Sequence, residues 1–179
     1  MAPSGLAVRP TPDRVREALF DILGAKTRAC RFLDLFAGSG ANGIEAFSRG
    51  AEAVVMVESG REALRSLETN LRALDLSERI RVVRAPWPLG LGASAREGPF
   101  TIVFADPPYA AAPYAEILAS VSAPELLAPD GLVVLEHEAR AGVPEGAGGL
   151  QRVRIARYGR VGLAFFAKAG PVAFPETGN

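Results

Sequence analysis

Apolar positions change their period several times along the chain, and each change marks an element. Val15, Ala18, Leu19, Ile22 and Leu23 recur at helical spacing, leaving Arg14, Arg16, Glu17 and Asp21 largely on other faces. Thr11 can cap this helix, Pro12 suits its first position, Asp13 complements the positive end of its dipole, and Gly24 stops it. Residues 32–36 form a short, nearly continuous apolar run, the pattern of a parallel strand buried on both faces. A glycine turn follows, then a helix carrying Ile44 and Phe47 that Gly50 ends. The alternation then repeats with a strand over 53–57, a helix over 61–74 built on Leu64, Leu67, Leu71 and Leu74, and a strand over 80–83.

Beyond it, "RAPWPLGLGASAREGPF" is rich in proline and glycine and reads as a loop, with a broken helix as the alternative. A strand over 101–105 ends in "DPPYAAAPY". A helix over 114–121 leads to a strand over 132–135, and 153–157 with 163–168 read as a closing strand pair around "YGRVG". Strands alternating with helices predict an α/β fold with a mostly parallel sheet, helices on both faces and one antiparallel strand near an edge. One domain over 9–170 accounts for this pattern, with a short extension at 1–8 and a tail at 171–179. Such sheets bind ligands beyond the carboxyl ends of their strands. The glycine turn, Glu58 and Asp106 all fall there.

Composition narrows the partners. The 20 basic and 20 acidic residues cancel, so any contact with nucleic acid must come from a local patch. The lone Cys30 leaves no internal disulfide and no multi-cysteine zinc site, and suits packing beside the first strand. "MAPSGLAV" lacks the features of a signal peptide, and no apolar run approaches the ~18 residues of a membrane span. The expectation is a soluble, cytoplasmic protein without a metal, monomeric and with no membrane partner.

Gly38, Gly40 and Gly43 match a glycine-rich strand-to-helix turn, which permits close approach of a ligand to the backbone. Glu58, at the end of the second strand, can accept hydrogen bonds from both hydroxyls of a ribose. This much fits any adenosine-containing cofactor. Asp34 discriminates, because a carboxylate inside a buried apolar strand is costly unless it is paired. From there it could hold the ammonium of a cofactor bearing an amino acid, as S-adenosylmethionine (SAM) does and nicotinamide dinucleotides do not. Satisfaction by loop amides is the simpler alternative.

"DPPY" (Asp106, Pro107, Pro108, Tyr109) supplies a reaction. A nucleobase amine is a poor nucleophile because its lone pair is delocalised into the ring. The Asp106 carboxylate and the Pro107 carbonyl can accept its two hydrogens and draw the nitrogen towards a tetrahedral form. Consecutive prolines restrict the turn and remove competing amide donors, and Tyr109 offers a face on which to stack an extruded base. Amine, methyl and leaving sulfur must lie nearly in line, so rate should come from orientation and electrostatics.

Together, "RPTPDRVREALFDIL", "LDLFAGSGANGIEAFSRGA", Val57-Glu58, "DPPY" and "RYGRVGLAFF" resemble the RsmD family of bacterial 16S rRNA (guanine-N2)-methyltransferases, in order from Arg9 to about Lys168. The resemblance implies a Rossmann-like class I methyltransferase fold with a seven-stranded sheet, and SAM as cofactor. It implies transfer to the N2 amine of a guanine in 16S rRNA, within an assembled or assembling small ribosomal subunit. It assigns Asp34, Phe36, Gly38, Ser39, Gly40 and Glu58 to the cofactor, with Ala37 and Ser59 beside them, Arg9, Pro10 and Thr11 near its methionine end, and Asp106 touching both cofactor and base.

The chain departs from that family twice. An Arg/Gly-rich hairpin usually precedes the "RPT" segment, whereas eight residues precede Arg9 here, so RNA contact is expected to rest on Arg14, Arg16, Arg157 and Arg160. Where the third strand commonly ends in an acid that reads adenine, this chain has Arg84-Ala85-Pro86-Trp87. Backbone groups are then expected to read the base, with Trp87 packing on it.

Other readings fit less well. Adenine-N6 methylation of DNA or RNA shares a similar four-residue motif, but sequence-specific DNA enzymes need a recognition region that this length leaves no room for. Protein amide methylation usually has Asn at the first motif position. Cysteine-dependent ring methylation would need a thiol far from Cys30, and a nicotinamide oxidoreductase leaves "DPPY" without a role. A non-catalytic SAM-binding ribosome-assembly factor is the alternative from a different class. His137 reads as a structural residue near the end of the fifth strand.

Overall fold

The structure, a computed structural model, describes residues 12–108 and 113–169. Five helices and eight strands follow one another as α1 (Pro12–Leu23), β1 (Arg31–Leu35), α2 (Ala41–Ser48), β2 (Ala53–Glu58), α3 (Arg61–Ala73), β3 (Arg81–Arg84), α4 (Leu89–Ser94), β4 (Phe100–Ala105), α5 (Tyr114–Val121), β5 (Leu127–Glu138), β6 (Gly146–Ala147), β7 (Leu150–Tyr158) and β8 (Val161–Lys168). They form one sheet in the order β3-β2-β1-β4-β5-β8-β7-β6. The first five strands in that order are parallel, while β8 runs antiparallel to both β5 and β7.

Alternation along β1 sends Phe32 to one face and Leu33 and Leu35 to the other, and both faces are dry. On one side Val15, Leu19, Phe20, Ile22 and Leu23 of α1 join Ala46, Leu67, Met56 and Phe32. On the other, Leu91, Ile117, Leu118 and Val121 pack with Leu33, Leu35 and Val55. Burying each large aliphatic or aromatic side chain is worth about 1.5–3 kcal/mol. That exceeds the ~0–1 kcal/mol of an exposed pair such as Arg16–Asp13 on α1. The apolar stripe therefore holds α1 in place. Cys30 is buried in the first of these clusters, and burial pushes its thiol up to about 11, as befits an inert packing residue.

Three elements differ from the sequence reading. The proline- and glycine-rich stretch contains α4, so the broken-helix alternative holds, and Gly90 leaves room that a Cβ would lose to Val57. β5 begins at Leu127, because Leu127 pairs with Phe100 across a register shift in β4 before regular pairing resumes at Ile102. The sheet has eight strands rather than seven, the extra one being the two-residue β6 on β7. A two-residue strand in a glycine-rich segment carries no apolar alternation by which to find it. Among the described residues no helix is long and apolar enough to cross a membrane.

Candidate functional site

β1, β2, β4 and β5 end at one sheet edge, and the polar residues singled out from the sequence gather there. Gly38 and Gly40 adopt the left-handed region at φ +58° and +83°, which lets the chain turn sharply from β1 into α2. A Cβ on Gly38 would meet nothing, so its requirement is conformational. At Gly43 the requirement is packing, because a Cβ there would overlap Met56 of β2 and crowd Val54. Phe36 also lies in the left-handed region, at φ +61°. Such strain costs about 1–3 kcal/mol in a residue other than glycine and concentrates at ligand sites.

Glu58 anchors this turn. Its Oε2 accepts from the Gly38 amide at 2.8 Å, and its Oε1 from the Ser59 and Gly60 amides, each at 2.7 Å. A carboxylate has about four acceptor sites, so roughly one remains on Oε2. The Asn70 side chain donates to the Ser39 carbonyl at 3.0 Å, tying the turn to α3. Ala37 is held by its amide, which donates to the Val57 carbonyl at 3.1 Å.

Asp34 sits on β1 between Met56 of β2 and Phe104 of β4, with 1% of its surface exposed. Its Oδ2 accepts from the Gly43 amide at 3.0 Å, whereas Oδ1 is buried with no partner among the described residues. The loop amides thus satisfy one oxygen and leave the other. Burial, countered by the Gly43 amide and reinforced by Asp106, Glu58 and Glu136, pushes this carboxyl up to about 8. A buried acceptor without a donor fits an incoming cation.

Asp106 follows β4 beside β1, its amide donating to the Leu35 carbonyl at 3.4 Å. Burial raises its carboxyl to about 6, so it is chiefly ionised at neutral pH. Pro107 is buried and Pro108 exposed. Arg9, Pro10, Thr11 and Tyr109 lie outside the described residues.

Two further residues approach this edge. Tyr114 begins α5; its hydroxyl is buried without a partner among the described residues, and burial together with the charges of Asp106 and Glu138 raises its pKa. The His137 ring meets Tyr114 edge-on at 6.4 Å. His137 is fully buried, its Nδ1 lying 2.8 Å from the Glu138 carbonyl. Its Nε2 has no partner among the described residues, and a Cβ on Gly162 of β8 would overlap the ring. Burial lowers the imidazole pKa and keeps it neutral, consistent with a structural residue. The sequence reading did not single out Tyr114; its only local signal is an aromatic closely following "DPPY".

A cavity of about 20 Å³, room for about one water, is lined by Leu35, Phe36, Val57, Glu58, Ser59, Ala85 and Trp87. It is a floor over which a flat ring could lie. Trp87 is fixed there by Nε1, which donates to Ser120 Oγ at 3.2 Å. A larger open cleft of about 720 Å³ runs past Ala53, Ile80 and Arg81 at the opposite edge of the sheet. Some of the charges on its walls are paired, such as Arg81 with Glu97, and none of the candidate site residues line it.

The chain is similar to known proteins over most of its length. The family model described as Conserved hypothetical protein 95 matches residues 1–167. The Bacillus subtilis (strain 168) protein named "Putative rRNA methyltransferase YlbH" is 38% identical over 170 residues, covering 94% of this chain and 92% of that one. Ribosomal RNA small subunit methyltransferase D of Escherichia coli (strain K12) is 36% identical over 143 residues, covering 79% of this chain and 70% of that one. Among solved structures, a conserved hypothetical protein of Streptococcus pyogenes is 30% identical, with a TM-score of 0.75 over 86% of this chain and 94% of that one. An RNA methyltransferase from Salinibacter ruber, in complex with S-adenosyl-L-homocysteine, shares the fold at 16% identity, with a TM-score of 0.65 over 93% of this chain and 97% of that one.

Proposed function

The chain belongs to the RsmD family of methyltransferases, and from that premise we propose that it methylates the N2 amine of a guanine in 16S rRNA of the small ribosomal subunit, using SAM. The observation that carries this reading is the placement of two unlike carboxylates on neighbouring strands, Asp34 on β1 and Asp106 after β4. The names of the rRNA methyltransferases it resembles, and the S-adenosyl-L-homocysteine bound in a structural neighbour, support it.

In this reading the unpartnered Oδ1 of Asp34 holds the ammonium of the cofactor, and the remaining acceptor site of Glu58 takes one ribose hydroxyl. Trp87 and Phe36 pack the adenine over the cavity floor. Arg9, Pro10 and Thr11 stay assigned to the methionine end, and Tyr109 to stacking on the base. When bound, the cofactor supplies a methyl group on a positively charged sulfur. Asp106 and the Pro107 carbonyl accept the two amine hydrogens, orient the nitrogen lone pair and stabilise the charge that develops on it. Once the nitrogen is cationic, its proton leaves to Asp106 or to water, so His137 needs no part in the transfer.

Two measurements test this. Trp87 is the single tryptophan, so titration with SAM should change the intrinsic fluorescence. Incubation with labelled SAM and small subunits from an unmodified strain should then place the label on a guanine as N2-methylguanine. Label on adenine N6 would replace the guanine reading. Binding of both SAM and subunits without transfer would replace the enzyme with an assembly factor.

A further inference from the structure

The arginines are not all used alike. Arg16, Arg49, Arg72, Arg81, Arg84 and Arg152 each pair with a carboxylate. Arg140, Arg157 and Arg160 are exposed and pair with no carboxylate among the described residues. The sheet brings these three to one rim. Arg157, near the end of β7, has Gly162 as its cross-strand partner, and Gly162 in turn partners His137 of β5. The Ala139 amide donates to the Arg160 carbonyl at 2.8 Å, which sets Arg140 beside the β7–β8 turn.

Because β8 is antiparallel to both its neighbours, β7 runs in the same direction as β4 and β5. The rim is therefore the sheet edge that carries Asp106. Three strand spacings of ~4.8 Å put Arg157 about 14 Å from the row of Asp106. An RNA strand delivering a base to Asp106 has phosphates a few nucleotides away at that distance. Glu138 shares the rim, so the patch is net positive rather than purely basic. Guanidinium groups without a carboxylate partner keep their donor forks free for phosphate.

We propose that Arg140, Arg157 and Arg160 form the surface that grips the phosphate backbone of rRNA beside the target nucleotide; this rests on the rRNA methyltransferase reading above. Phosphate contacts position a substrate without reading its sequence. The three arginines therefore set affinity and register, and leave the choice of base to the Asp106 side.

The test uses the full chain with the substitutions R140A, R157A and R160A combined. Binding to small subunits and to a 16S rRNA fragment is measured between about 50 and 300 mM salt, together with methyl transfer. Losing three contacts to single-stranded RNA should lower the log–log salt slope by ~2 and weaken binding ~10–100-fold near physiological salt. Turnover at saturating RNA should stay within about twofold, as for contacts made equally in ground and transition states. The fluorescence response to SAM and the melting temperature should not change.

Arg28 and Arg96, exposed ahead of β1 and β4 at the opposite edge, provide the control: R28A with R96A should leave binding unaltered. The proposal is overturned if the triple variant keeps the wild-type slope, if its binding falls with no change in slope, or if the control pair loses as much. Failure of the wild-type protein to bind or methylate rRNA would instead remove the underlying reading.

Discussion

The two halves of the carboxyl edge hold their polar groups in different ways. In the half formed by β1, β2 and α2, backbone amides supply most of the hydrogen bonds: three to Glu58 and one to Asp34. Oδ1 of Asp34 is left without a partner among the described residues, and Oε2 of Glu58 keeps about one acceptor site. In the half formed by β4, β5, α5 and β8, buried side chains meet instead, and both the Tyr114 hydroxyl and His137 Nε2 lack partners among the described residues. Backbone donors fixed by a short turn cannot rearrange, so the first half is built before a ligand arrives. The second half holds unmet hydrogen-bonding capacity, which in a buried place costs free energy until something satisfies it.

Removing the reacting group should separate the halves most sharply. Asp106→Ala should lower turnover by at least ~100-fold, the scale of a lost transition-state acceptor, a far larger loss than any weakening of SAM read by Trp87 fluorescence. In wild type, turnover should fall as pH drops below about 6, where the Asp106 carboxyl takes up a proton. Near-normal turnover of the variant would remove Asp106 from the reaction.

Asp34→Asn should strike the other half, weakening SAM ~10–100-fold, as expected for a lost hydrogen bond to a charged group. Asp34 titrates at about 8 in the folded protein, above its ordinary value of 3.8. Its contribution to stability is thus full in acid and lost as pH rises through about 8. Relative to wild type, the variant's melting temperature should rise between about pH 6 and 8.5. Cation binding favours the ionised carboxylate, so wild-type affinity should increase from about pH 6 to 7.5, by up to about tenfold per unit, and the variant should lose that slope. A pH-independent wild-type affinity would take the ammonium contact away from Asp34.

Gly162→Ala drives a methyl into the His137 ring and should destabilise the fold by about 1–3 kcal/mol, read by chemical denaturation. Tyr114→Phe should have the smallest effect. It removes a buried hydroxyl that has no partner among the described residues, so stability in the absence of ligands should be unchanged or rise by less than about 1 kcal/mol. A clear loss would mean that the hydroxyl is satisfied and that the contrast between the halves is weaker than described.

What was legible in the sequence follows the same division. The glycine turn, Asp34 and Glu58 lie within 25 residues of one another on consecutive elements, so periodicity and spacing place them together. The division of labour among the glycines was not legible, because the demand on Gly43 comes from Met56 on the next strand. "DPPY" was legible as a motif. Its surroundings were not, since His137 meets Gly162 only through the register of β5 with β8, and Trp87, ahead of α4, meets Ser120 of α5, 33 residues away. Of the arginines expected to face RNA, Arg16 is taken by Asp13, whereas Arg14, Arg157 and Arg160 have no carboxylate partner among the described residues. Pairing depends on rotamers that spacing does not encode.

The position of β8 between β5 and β7 also sets an order of completion during synthesis. The strands that carry Asp34, Glu58 and Asp106 can pair with one another once β4 has emerged, because β1 joins β2 and β4 directly and only the outer partner of β4, β5, follows it. β7 has no place in the sheet until β8, which follows it, is available to join it to β5. A nascent chain that ends before Val161 would have the cofactor side assembled, with β5 an open edge and the arginines of β7 unplaced. The ability to bind SAM should therefore precede the ability to engage RNA as the protein is made.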